Sequence, residues 1–147
     1  MPFVLRIDVA PSDIDELGHV GNVVYLRWVQ DAAIAHWCAV GLERSDYLAR
    51  KAAFVVTRHE IDYLRPAVPG DAVEVETRVC AVTVVTSMRR TAIRRARDGE
   101  LLAQAVTRWA YIDLASGRPA RIPEDVRARF PVEPGEKEAE QPMKRRA

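Results

Sequence analysis

One long apolar helical run stands ahead of an unbroken series of strand patterns, and that order limits what the chain can become. From Val24 the residues Trp28, Ala32, Ala35, Ala39 and Leu42 recur at spacings of three and four, while Val23, Val29, Ile34 and Cys38 widen the apolar face. A helix this apolar over Val23 to Val40 must be largely buried. Strands are the elements available to cover it: about Ala53 to Leu64, Ala72 to Ala81, Val84 to Arg97 and Leu101 to Leu114. Phe3 to Ala10, rich in β-branched and aromatic residues and broken by Pro11 and Ser12, adds a first strand. One buried helix with five antiparallel strands predicts an α+β fold in which the sheet wraps the helix.

The joints between these segments follow the same logic. Gly41 is placed to end the helix, and Ser45 to Lys51 forms a polar connection able to be helical. In the second long strand Val73, Val75, Thr77 and Val79 alternate with Glu74, Glu76, Arg78 and Cys80, the pattern of a strand with one face in the core. Asp98-Gly99 signals a hairpin between the last two strands. Ala115 to Pro119 closes the sheet, and a short terminal helix is expected from Ile122 to Phe130, beginning near Pro123. Residues 1–130 then make one domain. Residues 131–147, charged and rich in Pro with almost no large apolar side chain, read as a disordered tail.

Composition narrows the classes of function. The 147 residues suit one compact domain. Lys and Arg number 22 against 21 Asp and Glu, so no global field favours nucleic acid or an anionic membrane, and the terminal Lys144-Arg145-Arg146 reads as part of a solvated tail. No stretch approaches a spanning helix and Met1 to Arg6 lacks a signal-peptide layout, which makes a cytoplasmic location the expectation. Cys38 and Cys80 lack CxxC spacing; they read as buried, reduced thiols rather than metal ligands or a disulfide.

Chemistry concentrates in Ser12 to Tyr25, SDIDELGHVGNVVY, which sets Asp13, Asp15, Gly18, His19 and Asn22 at the entrance to the apolar helix. The first N–H groups of a helix lack intrahelical partners and carry the positive end of the macrodipole, so they can polarise a carbonyl oxygen beside a carboxylate. On the residues alone, an Asp in such a place more commonly caps the helix or braces the loop.

The spacing Asp-x-Asp-x-x-Gly-His-Val-x-Asn-x-x-Tyr resembles the signature of the 4-hydroxybenzoyl-CoA thioesterase branch of the hotdog-fold thioesterases. The resemblance extends through the helix, Tyr63-Leu64-Arg65-Pro66, Pro69-Gly70-Asp71 and Thr86-Ser87, roughly residues 3 to 115. One departure is Gly21, where the family often has a second Asn; its permissive backbone allows a slightly different helix entry. The resemblance implies an acyl-CoA thioesterase without metal or organic cofactor. It assigns Asp15 as nucleophile or general base and a helix N-terminal N–H, that of Asn22, as the group polarising the thioester carbonyl. Asp13 is left to brace the loop.

Gly18, His19, Asn22 and Tyr25 are the accompanying substrate-binding candidates, each with a structural alternative: loop support for His19, a cap for Asn22, core packing for Tyr25. His59 is a candidate for lining the acyl pocket from a partner subunit, or else a product of surface alternation. Glu60 is the one other carboxylate considered. Arg89, Arg90, Arg94, Arg95 and Arg97 could meet CoA phosphates, although such clusters on alternating strands are usually solvated faces. Two alternatives on this fold are an acyl-carrier-protein thioesterase, disfavoured because Leu17 stands where the plant-type enzymes have Asn, and a non-catalytic acyl-thioester-binding protein. A carrier-protein dehydratase is disfavoured by the lack of a Gly-His-Phe-Pro element. The unpaired sheet edges predict a homodimer or homotetramer.

Overall fold

The computed structural model describes residues 2–133. Strand β1 (Phe3–Asp8) leads through a single 3-10 turn at Pro11–Asp13 and a tight loop into helix α1 (Asn22–Ala39). Helix α2 (Arg44–Arg50) follows, then β2 (Ala52–Tyr63), β3 (Ala72–Val82), β4 (Thr86–Arg95), β5 (Leu101–Asp113) and a one-turn helix α3 (Glu124–Ala128). The strands form one antiparallel sheet in the order β1-β3-β4-β5-β2, so β1 and β2 are its edges. Register shifts at Val56/Arg58, Val79/Ala81 and Ile93/Arg94 add local bends of the kind that curl a sheet, here around α1. This is the hotdog arrangement.

The core lies between α1 and the concave face of the sheet. Tyr25, Trp28, Val29 and Ala32 pack against Val73, Val75, Ile93, Ala103 and Ala105, with Trp28 only 1% exposed. The Ala pair on β5 leaves room for the indole of Trp28 and the ring of Tyr25, which meet edge to face at 5.2 Å. A second cluster at the far end of α1 joins Leu42, Val79, Tyr111, Ile122, Val126 and Phe130. Through it the terminal segment closes the open end of the barrel-like sheet. The alternation expected of β3 is present, with Val73, Val75, Thr77 and Val79 buried.

Several expectations change. Only one face of α1 is covered: Val23 is 71% exposed and Ile34 45%, and Ala39 and Cys38 also face outward. Cys38 is therefore exposed rather than buried, and Cys80 is intermediate. The broad apolar face of the helix is more than one curved sheet can cover. β4 begins at Thr86 rather than Val84, because Thr83 and Thr86 pair in the preceding turn. The terminal helix is shorter than Ile122 to Phe130, although both of those residues are buried.

The arginine cluster divides by strand alternation. Arg89 points inward and is 2% exposed, donating to His36 Nδ1 at 2.9 Å and Thr77 Oγ1 at 3.1 Å, with its guanidinium 5.6 Å above the Phe130 ring. Burial lowers its pKa to about 10. The same burial, with Arg89 beside it, holds His36 at about 4, so the imidazole is neutral and accepts the bond. Arg95 is tied to Asp71 and Asp98. Of the expected tail, residues 134–147 lie outside the described residues.

Candidate active site

The loop between the 3-10 turn and α1 is a small closed device. Ile14 and Val20 pair as an antiparallel bridge, Asp15 N–H donates to His19 O at 2.8 Å, and Gly18 N–H donates to Asp15 O at 3.1 Å. Gly18 makes the reversal with φ of +78°, a left-handed conformation that suits a residue without Cβ. Val20 N–H donates to Ala67 O, fastening the loop to the segment after β2.

Asp13 and Asp15 differ in what surrounds them. Asp13 is 4% exposed; its Oδ1 accepts from Arg27 at 2.7 Å, its Oδ2 from Ala10 N–H at 2.9 Å, and its carbonyl from Gly21 N–H at 3.0 Å. Burial pushes its pKa up, but the Arg27 and Ala10 hydrogen bonds and the Arg27 charge outweigh that effect and hold the carboxyl below its ordinary value. This geometry is that of a brace. Asp15 is exposed, and its Oδ1 accepts from Leu17 N–H at 2.9 Å and His19 N–H at 3.4 Å. Its Oδ2 accepts no hydrogen bond among the described residues.

Asp15 also lies against the start of α1. A Cβ placed on Gly21 would stand 3.9 Å from the Asp15 Cβ. Gly21 is the N-cap, extended at φ −65° and ψ 147°, a conformation open to any residue, so its difference from Asn demands no special backbone. No side chain caps the helix. Val24 N–H turns back to Gly21 O, while the N–H groups of Asn22 and Val23 have no acceptor among the described residues.

A cleft of about 440 Å³ opens here, lined by Asp15, His19, Asn22, Tyr25, Tyr63 and the Leu64 to Pro66 turn. Four of the sequence candidates thus meet in one place, with Gly18 forming the turn behind them. Tyr25 is 4% exposed, and its hydroxyl accepts from Ala67 N–H at 2.8 Å. Burial raises its pKa. Tyr63 donates to the Asn22 carbonyl at 3.1 Å and meets the Tyr25 ring edge to face, pinning the helix start to the end of β2. Tyr63 and Arg65 are not among the site candidates read from the sequence, although the Tyr-x-x-Pro element is the signal that points to them.

His59 does not line this cleft. It sits on β2 four residues before Tyr63, with Nδ1 3.0 Å from Thr107 Oγ1, and burial lowers its pKa. Glu60 alternates to the opposite face of β2, 3.8 Å from Arg58, so it is no substitute for Asp15 in this cleft. Among the described residues no three His, Cys, Asp or Glu side chains form a group able to hold a metal, and no helix is long and apolar enough to cross a membrane.

Known proteins share this architecture. The family model described as the Thioesterase-like superfamily matches residues 9–130. The long-chain acyl-CoA thioesterase FadM of Escherichia coli K12 is 27% identical over 129 residues, spanning 85% of this chain and 94% of that protein. The acyl-CoA thioesterase YbgC of Haemophilus influenzae is 29% identical, covering 87% and 93%. A thioesterase from Thermus thermophilus, solved in complex with coenzyme A and Zn, superposes with a TM-score of 0.75 at 33% identity, over 86% of this chain and 90% of that one. The chain belongs to the thioesterase-like superfamily of hotdog proteins and is a thioester hydrolase.

Proposed function

We propose that the chain hydrolyses acyl-CoA thioesters in the cleft between the Asp15 loop and the first turn of α1. The observation that carries this reading is Asp15 itself. One carboxylate oxygen is held by two loop amides while the other faces solvent, beside a helix start that no side chain caps. Bracing and catalysis can therefore use different oxygens of one side chain. A thioester carbonyl set against the Asn22 and Val23 N–H groups is polarised there, which favours charge developing on its oxygen. Asp15 then takes a proton from water as the oxygen of that water attacks the carbonyl carbon, or attacks directly as nucleophile. In the first route the tetrahedral intermediate collapses with cleavage of the C–S bond, giving the free acid directly while the CoA thiolate leaves and takes up the proton held by Asp15. In the second, C–S cleavage releases the thiolate and leaves a mixed anhydride on Asp15, which water then hydrolyses to the free acid, restoring the carboxylate.

Gly18 and His19 shape the loop that aims Asp15, while Asn22 and Tyr25 border the substrate. The relatives FadM and YbgC support CoA as the carrier. We assign the working form to a homodimer or homotetramer. The twelve-residue edge strand β2 and the exposed Val23 and Ile34 of α1 offer a second copy both unpaired backbone and apolar surface. His59 on that edge strand then borders a site shared between subunits.

The test is Asp15→Asn, which keeps size and capping ability but removes the charge. Free-thiol release from a panel of short, long, branched and aromatic acyl-CoAs should fall by roughly a hundredfold or more in kcat, with circular dichroism and acyl-CoA binding unchanged. Near-normal release by the variant would remove Asp15 from the chemistry. Wild type that binds acyl-CoA without releasing thiol would establish the binding-module alternative, and dependence on an acyl-carrier protein would move the substrate class.

A further inference from the structure

A second cavity, of about 140 Å³, lies between the last turns of α1, α2, the start of β2 and α3. Trp37, which lines it, is fifteen positions after Asn22 on α1, hence roughly 22 Å along the helix from the Asp15 cleft. Its walls are largely aromatic and aliphatic: Trp37, Leu42, Phe54 and Val126. Trp37 and Phe54 stand 6.0 Å apart at 30°, and Phe54 meets Tyr111 at 5.0 Å and 67°, so ring faces and edges are both presented.

Three of the lining side chains carry polar groups: Tyr47, Arg50 and Tyr111. Tyr111 is 4% exposed and lines the cavity, yet its hydroxyl has no hydrogen-bond partner among the described residues. A buried hydroxyl without a partner is costly, and a ligand acceptor would relieve that cost. Arg50 is the one charged group among them, and it is engaged by both carboxylate oxygens of Asp125. Its charge is answered, so the cavity has no spare cation to attract an anion. Size is the remaining constraint. A cavity of about 150 Å³ lined by apolar side chains takes a benzene ring.

We propose that this cavity is a binding site for a single aromatic ring bearing a carbonyl or similar neutral acceptor, with that acceptor bonded to the Tyr111 hydroxyl. The ring fills the space among Trp37, Leu42, Phe54 and Val126. This assignment does not depend on the role of Asp15, and Asp15→Asn leaves the binding intact.

The experiment titrates the full chain with acetophenone and with ethylbenzene, the same ring with and without an acceptor, by ligand-observed NMR. Saturable binding of both is expected, with intermolecular NOEs to Trp37 and Phe54. Tyr111→Phe should weaken acetophenone by about five- to tenfold and leave ethylbenzene unchanged. Leu42→Phe, which fills the cavity, should abolish both; the wild-type NOEs locate the site even if that variant does not fold. Failure of both probes to saturate, NOEs to another region, or equal effects of Tyr111→Phe on the two probes would overturn the proposal.

Discussion

His36→Asn tests the buried arrangement at the far end of α1 through its pH dependence. In the fold His36 accepts a bond from Arg89, stacks on Phe3 at 5.0 Å and meets Phe130 edge to face. Burial and the Arg89 charge hold its pKa at about 4, against 6.5 for a free imidazole, with Glu133 opposing the shift. The unfolded chain therefore binds a proton between these pH values that the folded chain refuses. Stability from the neutral imidazole is present above pH 6.5 and is lost as pH falls towards 4. Linkage between the two values amounts to about 2.4 kcal/mol from pH 7 to pH 4.5; since His36 is only half-buried, solvent screening reduces this to about 2 kcal/mol.

Asn keeps an acceptor for Arg89 and does not titrate, while carboxylates common to both proteins largely cancel. Lost ring contacts lower the stability of the variant by about 1 kcal/mol in a manner independent of pH. Urea unfolding of both proteins at half-unit steps should therefore show wild type falling by about 2 kcal/mol relative to the variant between pH 7 and 4.5, from about 1 kcal/mol more stable to about 1 kcal/mol less. A difference that stays flat within about 0.5 kcal/mol would refute the claim that His36 is desolvated beside a buried cation.

Gly18→Ala meets no neighbour with its new Cβ but must keep φ at +78°, so urea unfolding should show a loss of about 1 kcal/mol, with thiol release falling as the Asp15 loop shifts. Trp28→Ala empties the centre of the core and should cost about 3–5 kcal/mol, seen calorimetrically as a Tm lower by about 10 °C or more. Light scattering at micromolar concentration should give at least a dimer; a monomer would remove the shared-site role of His59.

Periodicity carried much of the fold into view. Spacings of three and four marked α1, strict alternation marked the buried Val73, Val75, Thr77 and Val79, and the Ser12 to Tyr25 segment marked the cleft, because each signal is local to one element. Residues that share a face can be read this way, but whether anything covers that face cannot. Hence Cys38 and Ile34 belong to an apolar stripe yet stand outside the single sheet, and Arg89, read with its neighbours as a surface cluster, turns inward to His36. Strand order is equally silent in the sequence, and it is the order β1-β3-β4-β5-β2 that makes β2 an edge. It also brings the Tyr63 hydroxyl to the Asn22 carbonyl across 41 positions, and sets Tyr111, whose hydroxyl has no partner among the described residues, against a ring-sized cavity. Such contacts arise only when distant segments pack, so local pattern determined the elements and the Asp15 loop, while long-range packing decided which side chains surround them.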